Sequence, residues 1–371
     1  MRNNRILIRN VYNVDGQVFN VGEDGTMTRF DAITKKSHAY ASGDNVKHCI
    51  VDAFTELSGI KKPIRSFIKD ISKNEKDKQS SIYTEFDLTK PHIRLFGVWN
   101  SFDKEDFNAG KYNKCSLKSI INISPMYPLH PLLVSTERQC GVNSGNSNDK
   151  VCFQNNKEIY CTIEELKDKG GKTLEDAEKL FNETRAMNFY SKNKTSSGIY
   201  YIDFNIDVEQ IRCVNINGLT LSDEEKNKYI ELGYRFITDE LRGINYFVIP
   251  LEEAIKDFNY LVESLFEWDF LSNTSVHGNI KELLRTTISE GKANLFQEAT
   301  MATLTPDGTS ATLDFFSKEE EEELGIFSYN SKLLKKFYNK DDIEYININA
   351  KEKAIEKIKE LGKKILENME I

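Results

Sequence analysis

Six basic residues fall within twenty positions near the start of the chain: Arg29, Lys35, Lys36, His38, Lys47 and His48. Phe30, Tyr40 and small residues are interleaved with them, and Ser42, Gly43, Asp44 and Asn45 open a stretch with helical apolar spacing. A helix starting there leaves its first backbone N–H groups without intrahelical partners, and with lysines beside it such a terminus can hold phosphate. Lys47 and His48 fall off the apolar stripe and are expected to point outward. A capped helix under an ordinary solvated basic surface has the same composition.

Asp31, in TRFDAITKK, offers a different chemistry. A carboxylate can bind Mg²⁺ or position a nucleophile, although one aspartate without partners is usually a polar loop residue. The sequence has no Walker loop, no GxGxxG after a strand, no GxSxG and no HExxH. His38, His48, His92, His130 and His277 are scattered, and none pairs at metal-ligand spacing. Cys115, Cys140, Cys152 and Cys161 lie in polar sequence without a close CxxC pair, so reduced thiols are expected rather than a zinc staple. Cys49 and Cys213 sit in apolar patterns and read as small core residues. No resident metal or cofactor is expected, zinc or magnesium being the alternatives, and a conventional metabolic enzyme is disfavoured.

The elements that must position these residues are partly readable. Ile6, Ile8 and Val11 alternate with polar neighbours over 4–14, predicting an opening strand. A long polar connection with glycines at 16, 22, 25 and 43 leads to a helix over roughly 44–57. Val46, Cys49, Ile50, Ala53, Phe54 and Leu57 share one face of it, Ser42 or Asp44 can cap its start, and Gly59 suits its end. Residues 69–81 read as an exposed excursion, and 82–99 as ordered structure interrupted by Pro91. Three of the seven prolines fall in 115–150, which reads as an extended arm or hairpin projecting from the core, with a flexible tip near 141–149. The alternation over 197–214 predicts one long strand or a hairpin. Helical spacing is expected at 222–233, 251–270, 278–290 and 350–369, strands at 244–249 and 309–316, and a solvated acidic run at 319–323. This irregular mixture favours an α+β fold over a doubly wound sheet.

Composition narrows the function classes. The chain carries 50 Lys+Arg and 58 Asp+Glu, a formal charge of −8, with a sequence pI near 5.4. Residues 1–150 hold 22 basic and 17 acidic side chains, a local +5, and the remainder is correspondingly acidic. That asymmetry permits an anionic partner on one face and argues against indiscriminate nucleic-acid binding. No run approaches the length of a membrane helix and the N-terminus lacks a signal peptide's apolar centre, so no membrane partner and a cytoplasmic location are expected.

Several segments in order resemble a known family. NVGEDGTMTRFDAITKKSHAYASGDNVKHCIVDAF resembles the opening block of the Cas-seven family, the backbone subunit of Cascade-type CRISPR effector complexes in the RAMP superfamily, and is nearest its DevR-like branch. His92-Ile93-Arg94-Leu95-Phe96-Gly97, Ser124-Pro125-Met126 through Ser135, and Lys194 through Tyr201 resemble later family segments. The family's more usual second serine in the turn is replaced here by Gly43-Asp44. The resemblance covers much of residues 4–214 and implies a modified RRM (ferredoxin-like) palm spanning 1–371. It further implies a finger-like insertion near 60–90, a thumb-like arm at 119–195 and an acidic, helical extension at 320–371.

The resemblance also implies a non-catalytic subunit that binds CRISPR guide RNA, oligomerises along it with copies of itself, and joins other effector subunits in antiviral defence. The guide then presents its bases to target nucleic acid. Arg29, Lys35, Lys36, Ser42, Gly43, Asn45, Lys47, His48 and Arg138 are the implied RNA contacts, and Met126, Tyr127 and Leu129 the implied thumb wedge. Sequence-independent grip on a guide calls for phosphate and 2′-OH contacts, with specificity left to base pairing. The alternatives are a related subunit that cleaves target RNA with Asp31, or a stand-alone interaction protein of the same fold.

Overall fold

The computed structural model describes residues 4–369 apart from 20, 23–24, 33, 70–79, 85, 101–114, 141–152, 156–157, 188–189, 220, 242, 271–279, 292–295 and 338–345. The exposed excursion expected at 69–81 and the arm's tip at 141–149 fall largely outside those residues. Among the described residues, no helix is long and apolar enough to cross a membrane.

The fold is α+β, organised by one antiparallel sheet. Strand β1 (Arg5–Val18) leads to helix α1 (Gly43–Ser58), a short helix α2 (Pro91–Phe96) and strand β2 (Ile121–Ile123). The long strand β3 (Tyr190–Asp207), helix α3 (Leu251–Glu267), strands β4 (Ile280–Glu290) and β5 (Ile326–Asn330), and helix α4 (Ala350–Glu367) follow. The sheet order is β2-β3-β1-β4-β5, every neighbouring pair antiparallel, with Tyr127–Pro128 and Val134–Cys140 also laddered on β3. Central strand β1 is thus joined to β2 through a crossover that contains α1, and central strand β3 to β4 through one that contains α3.

Helix α1 forms where its sequence dictates. Ser42 is extended and its side chain accepts from the Asn45 N–H at 3.3 Å, while left-handed Gly59 donates to the Thr55 carbonyl at 3.0 Å. Val46, Ile50, Ala53 and Phe54 are buried, Cys49 packs at their margin, and Leu57 is exposed at the helix end rather than on the core face. These side chains pack with Ile6, Ile8, Tyr12 and Val14 of β1, with Tyr200, Ile202, Phe204 and Ile206 of β3, and with α3 and α4 in one core. A second core gathers Leu88, Ile93, Val98, Val214, Tyr229 and Phe247 around the three-stranded sheet Cys213–Asn215, Ile244–Val248 and Arg235–Asp239.

One expectation is corrected. Residues 280–290 form strand β4, not a helix: the strand is central and buried on both faces, so Leu284, Thr286, Thr287 and Ile288 show no clean alternation. The acidic run is solvated as expected, and it folds as helix Lys318–Leu324, started by a capping box between Ser317 and Glu320. The segment 121–140 ladders on β3, its last strand Val134–Cys140 pairing antiparallel with the start of β3 as a hairpin. The C-terminal segment carries the expected terminal helix, and it joins the core: β5 extends the main sheet, and Ala354, Ile358, Leu361 and Leu366 are buried in the main core.

Candidate nucleic-acid interface

The polar connection after β1 folds into short hairpins, of which Thr28–Phe30 paired with Ser37–Ala39 carries most of the basic cluster. Arg29, Phe30, Lys35 and Lys36 are exposed, and Lys35 sits in the left-handed region at φ 54°. Asp31 organises the hairpin's turn: its Oδ1 accepts from the Thr34 N–H at 2.6 Å and the Thr34 hydroxyl at 2.8 Å. Its N–H donates to the Lys36 carbonyl at 2.8 Å. Those bonds give Asp31 a structural role in shaping the loop. His38 is buried, and both its ring nitrogens lack partners among the described residues; burial lowers its pKa.

The hairpin returns to the sheet through a bridge between Ala41 and Met126, whose N–H and carbonyl groups pair at 2.9 and 3.3 Å. Met126 is therefore fully buried, and its place in the implied wedge is corrected: the run is apolar because it faces the core. Leu129 is half-buried against a small cluster on the opposite sheet face, with its N–H on the Ile199 carbonyl. Tyr127, between them, turns to that opposite face and pairs with Tyr201 of β3. The Arg29 guanidinium stands 4.9 Å from the Tyr127 ring centroid, and Tyr40 packs on the same ring at 5.4 Å. Beyond Tyr201, Arg9 stacks at 4.5 Å. Two residues singled out separately, Arg29 and Tyr127, are thus brought into contact. Tyr40 and Tyr201, half-buried, complete a row of aromatic rings and guanidinium groups on the sheet face away from the helices. Tyr201 sits in the alternating run 197–214, the one signal in the sequence that places it on that face.

The helix start behaves differently from expectation. A Cβ on Gly43 would stand 2.5 Å from the Ile123 carbonyl oxygen, so glycine is required there by the close approach of β2. Lys47 does not point freely outward: its Nζ donates to the Phe96 carbonyl at 2.7 Å, near the end of α2, and burial lowers its pKa. His48 is exposed, 3.7 Å from the Asp52 carboxylate, and its pKa is lowered by burial and by Lys62 and Arg65. Asn45 lends its N–H to the Ser42 cap. Arg138 lies in the strand Val134–Cys140 opposite Lys194; its side chain is outside the described residues, as are those of Cys115, Cys140 and Cys152.

The segment 91–97 is structural. Arg94 is buried, pairs with Asp257 and Glu253, and donates to the Tyr234 hydroxyl at 2.9 Å, tying α2 to α3 and to the second core. Among the described residues no group of His, Cys, Asp and Glu is arranged to hold a metal ion.

No protein-family model matches the sequence, and no curated protein matches it. Among solved structures, a chain described as "CRISPR RNA-guided surveillance complex, pre-nicking" aligns at 8% identity and TM-score 0.46, covering 96% of this chain and 100% of that one. A chain described as "CRISPR RNA-guided surveillance complex" aligns at 8% identity and TM-score 0.42, covering 95% and 99%. Superpositions that loose decide neither the fold nor the function.

Proposed function

We propose that this protein is a guide-RNA-binding backbone subunit of a CRISPR effector complex, non-catalytic, repeating along the RNA beside other subunits in the cytoplasm. The observation that carries the reading is the stack of Arg29, Tyr127 and Tyr40 on the sheet face away from the helices, flanked by exposed Lys35 and Lys36. Aromatic faces and guanidinium groups grip single-stranded nucleic acid without selecting its sequence, as a guide-binding surface must. The order of family-like segments and the two crossovers around the central strands agree with an RRM-like palm. Asp31 serves the hairpin turn in this reading, not cleavage.

The test is purification with and without the neighbouring gene products, followed by extraction of nucleic acid. Co-purifying RNA of uniform length in a particle much larger than the 42.7 kDa chain supports the subunit. An RNA-free monomer from every preparation favours a stand-alone interaction protein. Loss of target-RNA cutting in Asp31→Ala, with assembly retained, favours the nuclease.

A further inference from the structure

The three-stranded sheet of the second core ends in an open edge. Its order is Cys213–Asn215, Ile244–Val248, Arg235–Asp239, so among the described residues the last strand has a neighbour on one side only. Alternate residues of an antiparallel strand turn their backbone N–H and carbonyl groups to opposite sides. The Ile249 N–H donates to the Arg212 carbonyl and the Ile216 N–H to the Asn245 carbonyl, both at 2.9 Å. Ile244, Tyr246 and Val248 therefore turn their groups the other way, toward Asp239, Ile237 and Arg235. That leaves the N–H and carbonyl groups of Phe236 and Thr238 facing outward, on two residues that are themselves exposed.

Proteins usually blunt such an edge with lysine, proline or a bulge. The strand Arg235–Asp239 reads RFITD, holds neither residue type, and pairs with its neighbour without a register shift. Exposed apolar side chains accompany it along the chain. Ile230 and Leu232 lead into it, Phe236 lies on it with its ring 5.7 Å from that of buried Phe247, and Leu241 follows it. Arg235 and Asp239 mark its two ends with opposite charge.

We propose that this edge pairs antiparallel with the same edge of a second copy of the chain, about a two-fold axis at Ile237. The outward groups set the register: Phe236 of each copy bonds Thr238 of the other, which uses every backbone group that faces out. Ile237 then stands opposite Ile237 of the second copy, and Arg235 opposite Asp239 at both ends. These are non-hydrogen-bonded pairs, the kind whose side chains approach most closely, and opposite charges there are favourable. A register shifted either way, with Phe236 or Thr238 opposite its own copy, leaves neither charge facing its counterpart. The contact is isologous and closes on itself, so it is separate from any row of copies along a guide and does not rest on the Arg29–Tyr127 stack.

Sedimentation velocity of the full chain, freed of nucleic acid and at micromolar concentrations, tests the pairing, and cysteine crosslinking tests the register. A concentration-dependent monomer–dimer equilibrium is expected. Under mild oxidation Ile237→Cys is expected to yield a covalent dimer and Thr238→Cys none, because only position 237 meets its own copy within disulfide reach. The parent chain, with its native cysteines, is the blank. Arg235→Asp sets like charges opposite each other at both ends and is expected to weaken the dimer by at least about tenfold. Combining it with Asp239→Arg is expected to restore the dimer. A monomer at every concentration, crosslinking no better at 237 than at 238, a dimer indifferent to Arg235→Asp, or no recovery in the double exchange would overturn the assignment. Circular dichroism verifies each variant, and where a charge variant fails to fold the crosslinking decides alone.

Discussion

Arg9 and Asp203 face each other across the β1–β3 ladder, with Nε–Oδ1 and Nη2–Oδ2 both at 2.7 Å. The pair is almost closed to solvent, and Arg9 also donates to the Gln297 and Thr300 carbonyls. This arginine lies on the face away from the helices yet is spent internally, holding the loop before strand Thr300–Leu304 against the sheet and steadying Tyr201. Removing one partner leaves a charge without its counterpart. Asp203→Ala is expected to cost about 3 kcal/mol, at the low end for a broken buried pair because the aspartate keeps some exposure. Urea denaturation checks it; a midpoint within error of the parent would show the pair to be incidental.

Arg29 and Tyr127 carry the RNA-binding proposal and can be separated experimentally. Tyr127→Ala removes a stacking ring and is expected to weaken single-stranded RNA by about 1–3 kcal/mol whatever the sequence. Arg29→Gln removes a charge, so the slope of log affinity against log salt is expected to fall by about 0.7. Fluorescence anisotropy with oligouridine and mixed-sequence RNA over a salt series reads both effects. A Tyr127→Ala loss confined to one sequence would argue for base-specific readout.

How much of this was legible follows from where the information lies. Helix α1 was readable because Val46, Ile50, Ala53 and Phe54 keep helical spacing between Ser42 and Gly59, and local chemistry suffices. Strand β4 was not, because burial on both faces erases the period-two signal and leaves a pattern that also fits a helix. The stack of Arg29 on Tyr127 depends on the Ala41–Met126 bridge, a tertiary pairing that no local pattern encodes. The wedge reading of Met126 failed for the related reason that an apolar run looks alike whether it faces a partner or the core. Asp31 and Lys47 were visible as charges, but their hydrogen bonds to Thr34 and Phe96 were not.

Lys281 predicts a pH dependence. Its Nζ lies 3.3 Å from the Trp268 ring centroid and 5.1 Å from that of Tyr12, and donates to the Trp268 carbonyl. Burial brings its pKa down from 10.5 to about 7, with Asp269 opposing the shift. Between those values the unfolded chain holds more protons at this site than the folded one, so this group makes stability rise with pH through that window. Below about pH 7 its destabilising contribution is complete. In Lys281→Met this contribution vanishes, and the variant's stability relative to the parent is expected to decline as pH rises toward 10.5. Urea midpoints across that range are the measurement; a constant difference would mean that the amine titrates normally.

Phe54 and Gly362 test the core from opposite directions. Phe54 is fully buried, edge-on to His92, Phe96 and Tyr260 at 5.1, 5.6 and 6.3 Å, so Phe54→Ala empties the junction of α1, α2 and α3. A loss of about 3–5 kcal/mol is expected. At Gly362, in α4, an added Cβ would stand 1.9 Å from Phe258 Cε1, inside any tolerable contact. Alanine is the better helix former by about 1 kcal/mol, yet overpacking costs about 1–3 kcal/mol, so Gly362→Ala is expected to destabilise. The sign decides which effect governs α4. A stabilised variant would mean that the Phe258 ring swings aside cheaply, and that α4 holds to α3 by its other apolar side chains, with close approach at Gly362 contributing little.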